Sequence, residues 1–165
     1  MDTVAHTAPV RVVIIDDTSD LRELLRVALT RGGMEVVGEA GDGLAGIEAV
    51  RLERPDLVLL DLSMPVMDGL AALPSIRRLV PAAKIVVLSG FGATQMSERA
   101  LATGADGYLQ KGVSLKRILD YVRTMTAGAA EPEPVAATLT LVSSPERPGP
   151  EHGEDPPAAT SGHGG

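Results

Sequence analysis

The chain has 165 residues, 44% of them hydrophobic and 22% charged, which suffices for one domain of ordinary size with an appendage. It contains no cysteine, which excludes disulfides, thiol nucleophiles and zinc ribbons. An aromatic content of 2% and a net charge of −7 argue against nucleic-acid binding, and without a leader pattern or a membrane-length apolar run we expect a soluble, cytoplasmic protein that makes no membrane contact.

Residues 10–127 alternate between short β-branched runs and longer stretches of helical periodicity. Runs that are apolar on both faces are typical of parallel strands covered by helices on each side. Five βα repeats therefore predict an α/β fold with a doubly wound, five-stranded parallel sheet. The predicted strands are 10–15, 35–39, 56–60, 84–88 and 107–110, and the predicted helices are 19–31, 43–53, 69–79, 94–103 and 114–127.

Several residues mark the predicted helix ends. Pro74 lies inside the third helix and lacks an amide donor, so it should delay the start of that helix or kink it. Thr18 or Ser19 can cap the first helix and Gly32 can end it. Gly104 can end the fourth helix, and Ser114 can cap the fifth.

The two ends of the chain differ from its middle. Residues 1–9 are expected to be a flexible N-terminus. Residues 128–165 hold seven of the 12 prolines and a net charge of −5. Such an acidic, Pro/Gly-rich stretch buries too little apolar surface to offset its chain entropy, so we predict a disordered C-terminal tail.

Charged and hydroxyl side chains follow the predicted strands. Asp16 and Asp17 follow the first strand and Asp61 the third, while Ser89 follows the fourth and Lys111 the fifth. Because the carboxyl ends of parallel strands meet at one edge, we expect these groups to lie close together. Three clustered carboxylates repel one another unless a cation lies between them, and oxygen ligands favour Mg²⁺. With a hydroxyl and a lysine added, the set suits a phosphoryl group.

At this point the chain resembles a known family, the receiver domain of two-component response regulators. The resemblance spans residues 10–127 and implies a flavodoxin-like (βα)5 domain. It rests on the acid pair Asp16-Asp17 and on the segments 59–69 (LLDLSMPVMDG), 88–90 (LSG) and 104–111 (GADGYLQK).

The resemblance implies a role for each site residue. Asp61 would be the phosphoacceptor, receiving a phosphoryl group from a histidine of a sensor kinase. Asp17, Asp61 and the backbone carbonyl of Ser63 would ligate Mg²⁺ directly, with Asp16 acting largely through water. Lys111 would pair with the phosphoryl oxygens.

The resemblance also implies a switch. Ser89 would be the switch hydroxyl, and Tyr108 the aromatic that changes rotamer when Ser89 is drawn toward the phosphate. Lys111 is followed by Gly112, where many receivers have proline; glycine occurs there in many receivers that carry helix-turn-helix output domains. Placement of the lysine then depends on glycine geometry. Phe91 either limits water access to the acyl phosphate or lies on an exposed partner-binding loop.

Two other readings compete with a receiver. Residues 41–46 match the dinucleotide fingerprint G-x-G-x-x-G, but Asp42 would place a carboxylate beside the pyrophosphate. Aspartate-based Mg²⁺ phosphatases carry a D-x-D motif at the first strand, whereas this chain has two adjacent acids there. We therefore expect a phosphoacceptor with slow self-catalysed transfer and autodephosphorylation, not a turnover enzyme.

The output is less determined by the sequence. The histidines (His6, His152 and His163) lie in the terminal segments, so the chain is expected to be the acceptor and not the phosphodonor. Residues 128–165 show neither the helical pattern nor the basic face of a DNA-binding domain. The preferred hypothesis is a stand-alone receiver that acts on a downstream protein, and phosphorylation could also produce a homodimer. The alternative is the receiver part of a truncated DNA-binding regulator.

Overall fold

A computed structural model describes residues 8–90 and 94–127. The predictions made for residues 1–7, Phe91 and residues 128–165 lie outside these ranges. None of the described helices is long and apolar enough to cross a membrane. The elements are β1 (Arg11–Ile15), α1 (Ser19–Arg31), β2 (Glu35–Ala40), α2 (Gly43–Glu53), β3 (Leu57–Asp61), α3 (Gly69–Leu79), β4 (Lys84–Ser89), α4 (Thr94–Thr103), β5 (Gly107–Gln110) and α5 (Leu115–Thr126).

The five strands form one parallel sheet in the order β2-β1-β3-β4-β5. This confirms the doubly wound, flavodoxin-like fold, and the predicted element bounds are within about one residue of those observed. The strand order reverses direction between β1 and β3, since β2 lies outside β1 while β4 and β5 continue beyond β3. Ligand sites in such sheets lie beyond the carboxyl ends of the strands at this point.

Alternation along the strands divides the core into two layers. In β3, Val58 and Leu60 face the layer under α2, α3 and α4, while Leu57 and Leu59 face the layer under α1 and α5. All four side chains are fully buried. A shift of one residue in register would exchange the two layers, so burial on both faces holds the strand ends in place.

Gly32, Gly104 and Ser114 lie at the predicted helix ends, but Thr18 at the start of α1 makes no side-chain capping hydrogen bond. The Ser114 side chain accepts a hydrogen bond from the amide of Arg117, and Gly104 ends α4 with a left-handed φ of 124°. Of the two effects predicted for Pro74, a delayed start of α3 is wrong, since the helix begins at Gly69 with Pro74 inside it, and a kink stays a prediction. Asp68 caps that helix by accepting the amide of Ala71 at 2.8 Å, and this local bond sets the first turn well ahead of the proline.

Candidate functional site

The residues that follow or end the strands meet at the carboxyl edge of the sheet. Asp16 and Asp17 come directly after β1, and Asp61 is the last residue of β3, where it pairs with Leu88 of β4. Lys111 follows β5, and its amide donates to the Ser89 carbonyl at 2.7 Å. The sheet ladder therefore brings all five predicted strand-end groups to the same edge.

The three carboxylates form one cluster. Each of Asp16, Asp17 and Asp61 has an oxygen within 4.8 Å of those of the other two. Asp16 and Asp61 are buried, at 0% and 1% exposure, whereas Asp17 is exposed. Two acids thus lie at the bottom of the site, and the third faces solvent.

Lys111 bridges the two buried acids. Its Nζ lies 2.9 Å from Asp16 Oδ2 and 2.9 Å from Asp61 Oδ2. The approach is poorly aligned for hydrogen bonding, so both oxygens remain without a well-formed hydrogen bond and the contact is ionic. Gly112 adopts a φ of 101°, a left-handed conformation that a residue with a Cβ rarely takes, so the backbone after Lys111 uses a geometry that favours glycine.

Backbone amides hold the other carboxylate oxygens. Asp16 Oδ1 accepts the amide of Thr18 at 2.8 Å, and Asp61 Oδ1 accepts the amide of Ser63 at 3.0 Å. Each aspartate therefore folds the loop after its own strand into an Asx-type turn. One oxygen of each carboxylate is fixed by the backbone, and the other is directed toward Lys111.

Burial dominates the ionisation of the site. It raises the pKa of Asp61 to about 6, and the charge of Asp16 adds to this, although Lys111 and the Ser63 amide act in the opposite direction. Burial also tends to lower the pKa of Lys111, but its contacts with Asp61 and Asp16 outweigh this and the net pKa is raised. The lysine stays charged, while Asp61 is costly to ionise without a further cation.

Metal-free protein should therefore lose stability as the pH rises from about 4 to 6. Unfolded aspartate titrates near ~3.9, so in this window the folded chain binds more protons than the unfolded chain, and raising the pH favours unfolding. Above this window the full penalty of about 3 kcal/mol applies. Asp61→Asn removes it and leaves Lys111 paired with Asp16. Urea unfolding in EDTA should show Asp61→Asn more stable than wild type at pH 7, with the difference vanishing near pH 4.

A cation provides the control for this prediction. Saturating Mg²⁺ should narrow the difference at pH 7, because ligand binding to the native wild type stabilises it. An Asp61→Asn variant that is equally or less stable than wild type in EDTA at pH 7 would contradict the assigned cost of ionising Asp61.

The acidic cluster fits a hard divalent cation. The buried oxygens Asp16 Oδ2 and Asp61 Oδ2 have Lys111 as their one partner among the described residues, and the exposed Asp17 completes an all-oxygen set that is open to solvent. Carboxylate oxygens are the donors that Mg²⁺ prefers. For Ser63 the structure shows its amide bound to Asp61, and metal ligation by its carbonyl stays a prediction.

The two predicted switch residues lie on neighbouring strands. Ser89 ends β4 and is buried, one residue beyond the partner of Asp61. Tyr108 of β5 is 8% exposed and packs in the layer that also contains Ala100 of α4. The structure therefore places the hydroxyl beside β3, which ends in Asp61, and the aromatic ring in the core layer that α4 also lines.

The structure adds one site residue that the sequence reasoning missed. Arg22 of α1 donates from Nη1 to the backbone carbonyl of Asp16 at 2.6 Å. No motif marks it, because its partner is a backbone carbonyl, which every residue carries.

Two of the three glycines of residues 41–46, Gly43 and Gly46, serve packing. A Cβ on Gly43 would lie 2.6 Å from the Met67 carbonyl, and one on Gly46 would lie 2.7 Å from the Ile15 side chain. Asp42 accepts the amide of Ala45 at 2.9 Å and so places its carboxylate where a pyrophosphate would bind. This local geometry argues against a dinucleotide site.

Comparisons with known proteins agree with this geometry. The response regulator receiver domain family matches residues 12–123. The chain is 36% identical over 110 residues to the chemotaxis protein CheY of Thermotoga maritima, covering 67% of this chain and 92% of that protein. It is 41% identical over 113 residues to the transcriptional regulatory protein PdtaR of Mycobacterium tuberculosis, covering 67% of this chain but 54% of that protein.

A solved structure shows the same architecture. CheY in a CheX-CheY-BeF3-Mg²⁺ complex from Borrelia burgdorferi superposes with a TM-score of 0.67 and 27% identity, over 71% of this chain and 89% of that one. This chain thus combines the parallel sheet and the acidic edge described above with a family match that spans most of the described residues. The chain belongs to the response regulator receiver domain family.

Proposed function

We propose that this chain accepts a phosphoryl group on Asp61 from a phosphohistidine of a sensor histidine kinase, in a Mg²⁺-dependent step, and that phosphorylation switches a protein-interaction face. The observation that carries the proposal is the buried Asp61 carboxylate, which contacts the Lys111 ammonium and lies within 4.8 Å of two further acids at the carboxyl edge of the sheet. The chain acts as a phosphoacceptor with slow self-catalysed transfer and autodephosphorylation, in the cytoplasm.

The transfer is a nucleophilic substitution at phosphorus. A carboxylate oxygen of Asp61 forms a bond to phosphorus while the bond from phosphorus to the donor breaks, and the donor leaves with the bonding electron pair. Lys111 is already within 2.9 Å of Asp61 and supplies positive charge for the phosphoryl oxygens. Mg²⁺, when bound, neutralises charge on the phosphoryl group and on the acids.

The chain's own acids hold the metal. Asp17 is exposed and has no ion pair among the described residues, so its carboxylate is free to ligate, whereas Asp16 is buried and already bridged to Lys111. The exposure of Asp17 supports its direct ligation. Asp61 shares the burial and the Lys111 contact of Asp16, so direct ligation by Asp61 and the indirect role of Asp16 are proposed from membership of the receiver family. Burial of Asp61 keeps bulk water from competing for the acyl phosphate once formed.

The switch is proposed to involve Ser89 and Tyr108. A hydroxyl at the end of β4 is near enough in the ladder to bind a phosphoryl oxygen on Asp61. Movement of Ser89 opens or closes space near Tyr108 on the adjacent strand, and Tyr108 packs under α4. A change at Asp61 thereby alters the surface around α4.

Acetyl phosphate tests the proposal without the kinase. With Mg²⁺ the full chain should gain one phosphoryl group, seen by intact-mass spectrometry, and acetate should leave. Without Mg²⁺ the gain should disappear. Sustained release of phosphate from a phosphomonoester would instead indicate a phosphatase.

The metal-ligand ranking makes a separate prediction. Asp17→Ala should weaken Mg²⁺ binding more than Asp16→Ala, because Asp17 is the exposed acid, while Asp16 is shielded by Lys111 and Thr18. Calorimetric titration of Mg²⁺ into each variant measures the ranking. Equal affinities, or a larger loss for Asp16→Ala, would contradict direct ligation by Asp17.

Output through a downstream protein is the preferred form of the proposal. Residues 128–165 carry net negative charge and seven prolines, which does not suit DNA contact. The alternative is a receiver from a DNA-binding transcriptional regulator. The Lys111-Gly112 pair is its support from the sequence, and the match to the transcriptional regulatory protein PdtaR, of which the chain spans about half, supports the transcriptional part of it. Light scattering in both phosphorylation states tests for a homodimer, and pull-down in both states tests for a partner.

A further inference from the structure

Arg22 connects α1 to the acidic cluster through the backbone of Asp16. Its Nη1 donates to the Asp16 carbonyl at 2.6 Å, and its side chain is about three-quarters buried. A hydrogen bond from a charged donor at this distance is among the stronger types in proteins. The guanidinium runs past Gly41, where a Cβ would lie 3.5 Å from Nη1.

The carbonyl of Asp16 belongs to the peptide unit that links Asp16 to Asp17. The Asp16 amide, on the preceding peptide unit, is held by the Ala40 carbonyl at 3.0 Å, as an extension of the β1–β2 ladder. The side chain of Asp16 is held by the Thr18 amide and Lys111. The carbonyl group of the peptide unit between Asp16 and Asp17 lies beyond β1, and Arg22 is its hydrogen-bond donor. Since the plane of that peptide unit sets the direction of the Asp17 backbone, Arg22 controls where the Asp17 carboxylate lies.

Glu39 at the end of β2 holds the guanidinium in turn. Its two carboxylate oxygens face Arg22 Nε at 3.6 Å and Arg26 Nε at 3.5 Å. Arg26 therefore shares the counter-ion of Arg22, but its ion pairs among the described residues are with Glu39 and Glu23, and it makes no hydrogen bond to Asp16. Two arginines on the same helix thus share Glu39 as a counter-ion, but only Arg22 contacts the site, and Arg26 is the more exposed of the two, at 49% against 23%.

We propose that Arg22 is a positioning residue for divalent-cation binding, which acts by fixing the Asp16–Asp17 peptide so that Asp17 joins Asp16 and Asp61 in one ligand set. The inference rests on the proposed function only in that the acidic cluster binds Mg²⁺. It goes beyond that function by assigning metal affinity to a basic residue of α1 that would itself repel a cation.

The direction in which Mg²⁺ affinity changes when Arg22 is removed distinguishes a positioning role from a purely electrostatic one. If Arg22 acted only through its charge, removing it would make the site more negative, and Mg²⁺ would bind more tightly. If it positions Asp17, removing it weakens Mg²⁺ binding despite the gain in negative charge. Loss of a residue that orients metal ligands typically costs at least about 10-fold in metal affinity.

The experiment is a Mg²⁺ titration by calorimetry of the full chain carrying Arg22→Met, Arg22→Lys or Arg26→Met. Arg22→Met keeps the apolar stem and should raise the dissociation constant about 10-fold. Arg22→Lys keeps the charge and one donor group and should fall between Arg22→Met and wild type. Arg26→Met removes the same charge from the same helix and should bind Mg²⁺ as wild type does, or more tightly.

Phosphorylation by acetyl phosphate gives a second readout. The Mg²⁺ concentration for half-maximal rate should rise in Arg22→Met, while the rate at saturating Mg²⁺ stays near that of wild type. A merely structural role would lower the limiting rate with the active fraction and leave half-saturation unchanged, and that result would overturn the inference.

The outcomes distinguish this inference from the proposed function. Wild type that binds no Mg²⁺ would overturn both. Wild type that binds, with Arg22 variants that bind equally or more tightly, would overturn the positioning role alone. If Arg22→Met does not fold by urea titration, Arg22→Lys is judged by the same criterion: weaker Mg²⁺ binding than wild type supports the role, and equal or tighter binding overturns it.

Discussion

Asp61→Asn should abolish phosphorylation by acetyl phosphate. The substitution keeps the size of the side chain and leaves an oxygen to accept the Ser63 amide, so the loop after β3 should keep its geometry. An amide is a much weaker nucleophile than a carboxylate, and it cannot form the acyl phosphate. Intact-mass spectrometry should therefore detect no added phosphoryl group on the variant under conditions in which wild type gains one.

Asp68→Asn is the matched control. It makes the same chemical change seven residues away, at an exposed position whose side chain caps α3, and asparagine caps helices about as well as aspartate. This variant should accept the phosphoryl group as wild type does. Stoichiometric, Mg²⁺-dependent phosphate on Asp61→Asn would remove the acceptor role from Asp61, whereas loss of phosphorylation in both variants would point to damage in the loop between β3 and α3.

The positions of the carboxylates can be predicted from the sequence because they depend only on where each strand ends and on the strands being parallel. Once a run is read as a parallel strand, its carboxyl end is set within about one residue by apolar alternation, and parallel strands place those ends at one edge. Asp61 was expected just after β3 and is its last residue, since the ladder continues to Leu88. A difference of one residue at a strand end does not move a side chain to another edge of the sheet.

Contacts between helices and strand ends could not be predicted from the sequence in this way. Arg22 reaches the Asp16 carbonyl from near the start of α1, the helix whose Leu25 and Leu29 pack in the layer under α1 and α5. The prediction for Pro74 considers only the missing amide of the proline, whereas the cap at Asp68 determines where α3 begins. Local propensity predicts the elements, and packing and capping together determine how their ends meet.

Gly69→Ala should disrupt the site more than its size suggests. A Cβ on Gly69 would overlap the carbonyl oxygen of Asp61 and would lie 2.9 Å from its carbonyl carbon and 3.0 Å from Leu62 Cα. All of these are backbone atoms, which cannot move aside as a flexible side chain can. In an exposed helix alanine would be favoured over glycine by about 1 kcal/mol, so helix propensity alone predicts stabilisation. Overpacking against backbone predicts a loss of about 3 kcal/mol, which urea unfolding measures.

Gly41→Ala is the control for this change. Gly41 does not have a left-handed φ, and a Cβ there would meet only Arg22 Nη1 at an ordinary contact distance of 3.5 Å. Its free energy of unfolding should stay within about 0.5 kcal/mol of wild type. A Gly69→Ala variant as stable as Gly41→Ala would show that α3 can move away from β3 without cost.

The close approach at Gly69 also bears on the chemistry of Asp61. The first turn of α3 lies against the Asp61 peptide, and the Gly69 amide donates to the Leu62 carbonyl at 3.2 Å, so the helix start braces the backbone that carries the acceptor. Moving that backbone by about 1 Å alters the distances from Asp61 to Lys111 and Asp17 together, and a displacement of that size can cost on the order of 100-fold in rate. In the folded fraction of Gly69→Ala, the initial rate of phosphorylation at saturating Mg²⁺ should fall by that order. A variant that is destabilised but reacts at the wild-type rate per folded molecule would mean that the brace supports the fold and not the acceptor.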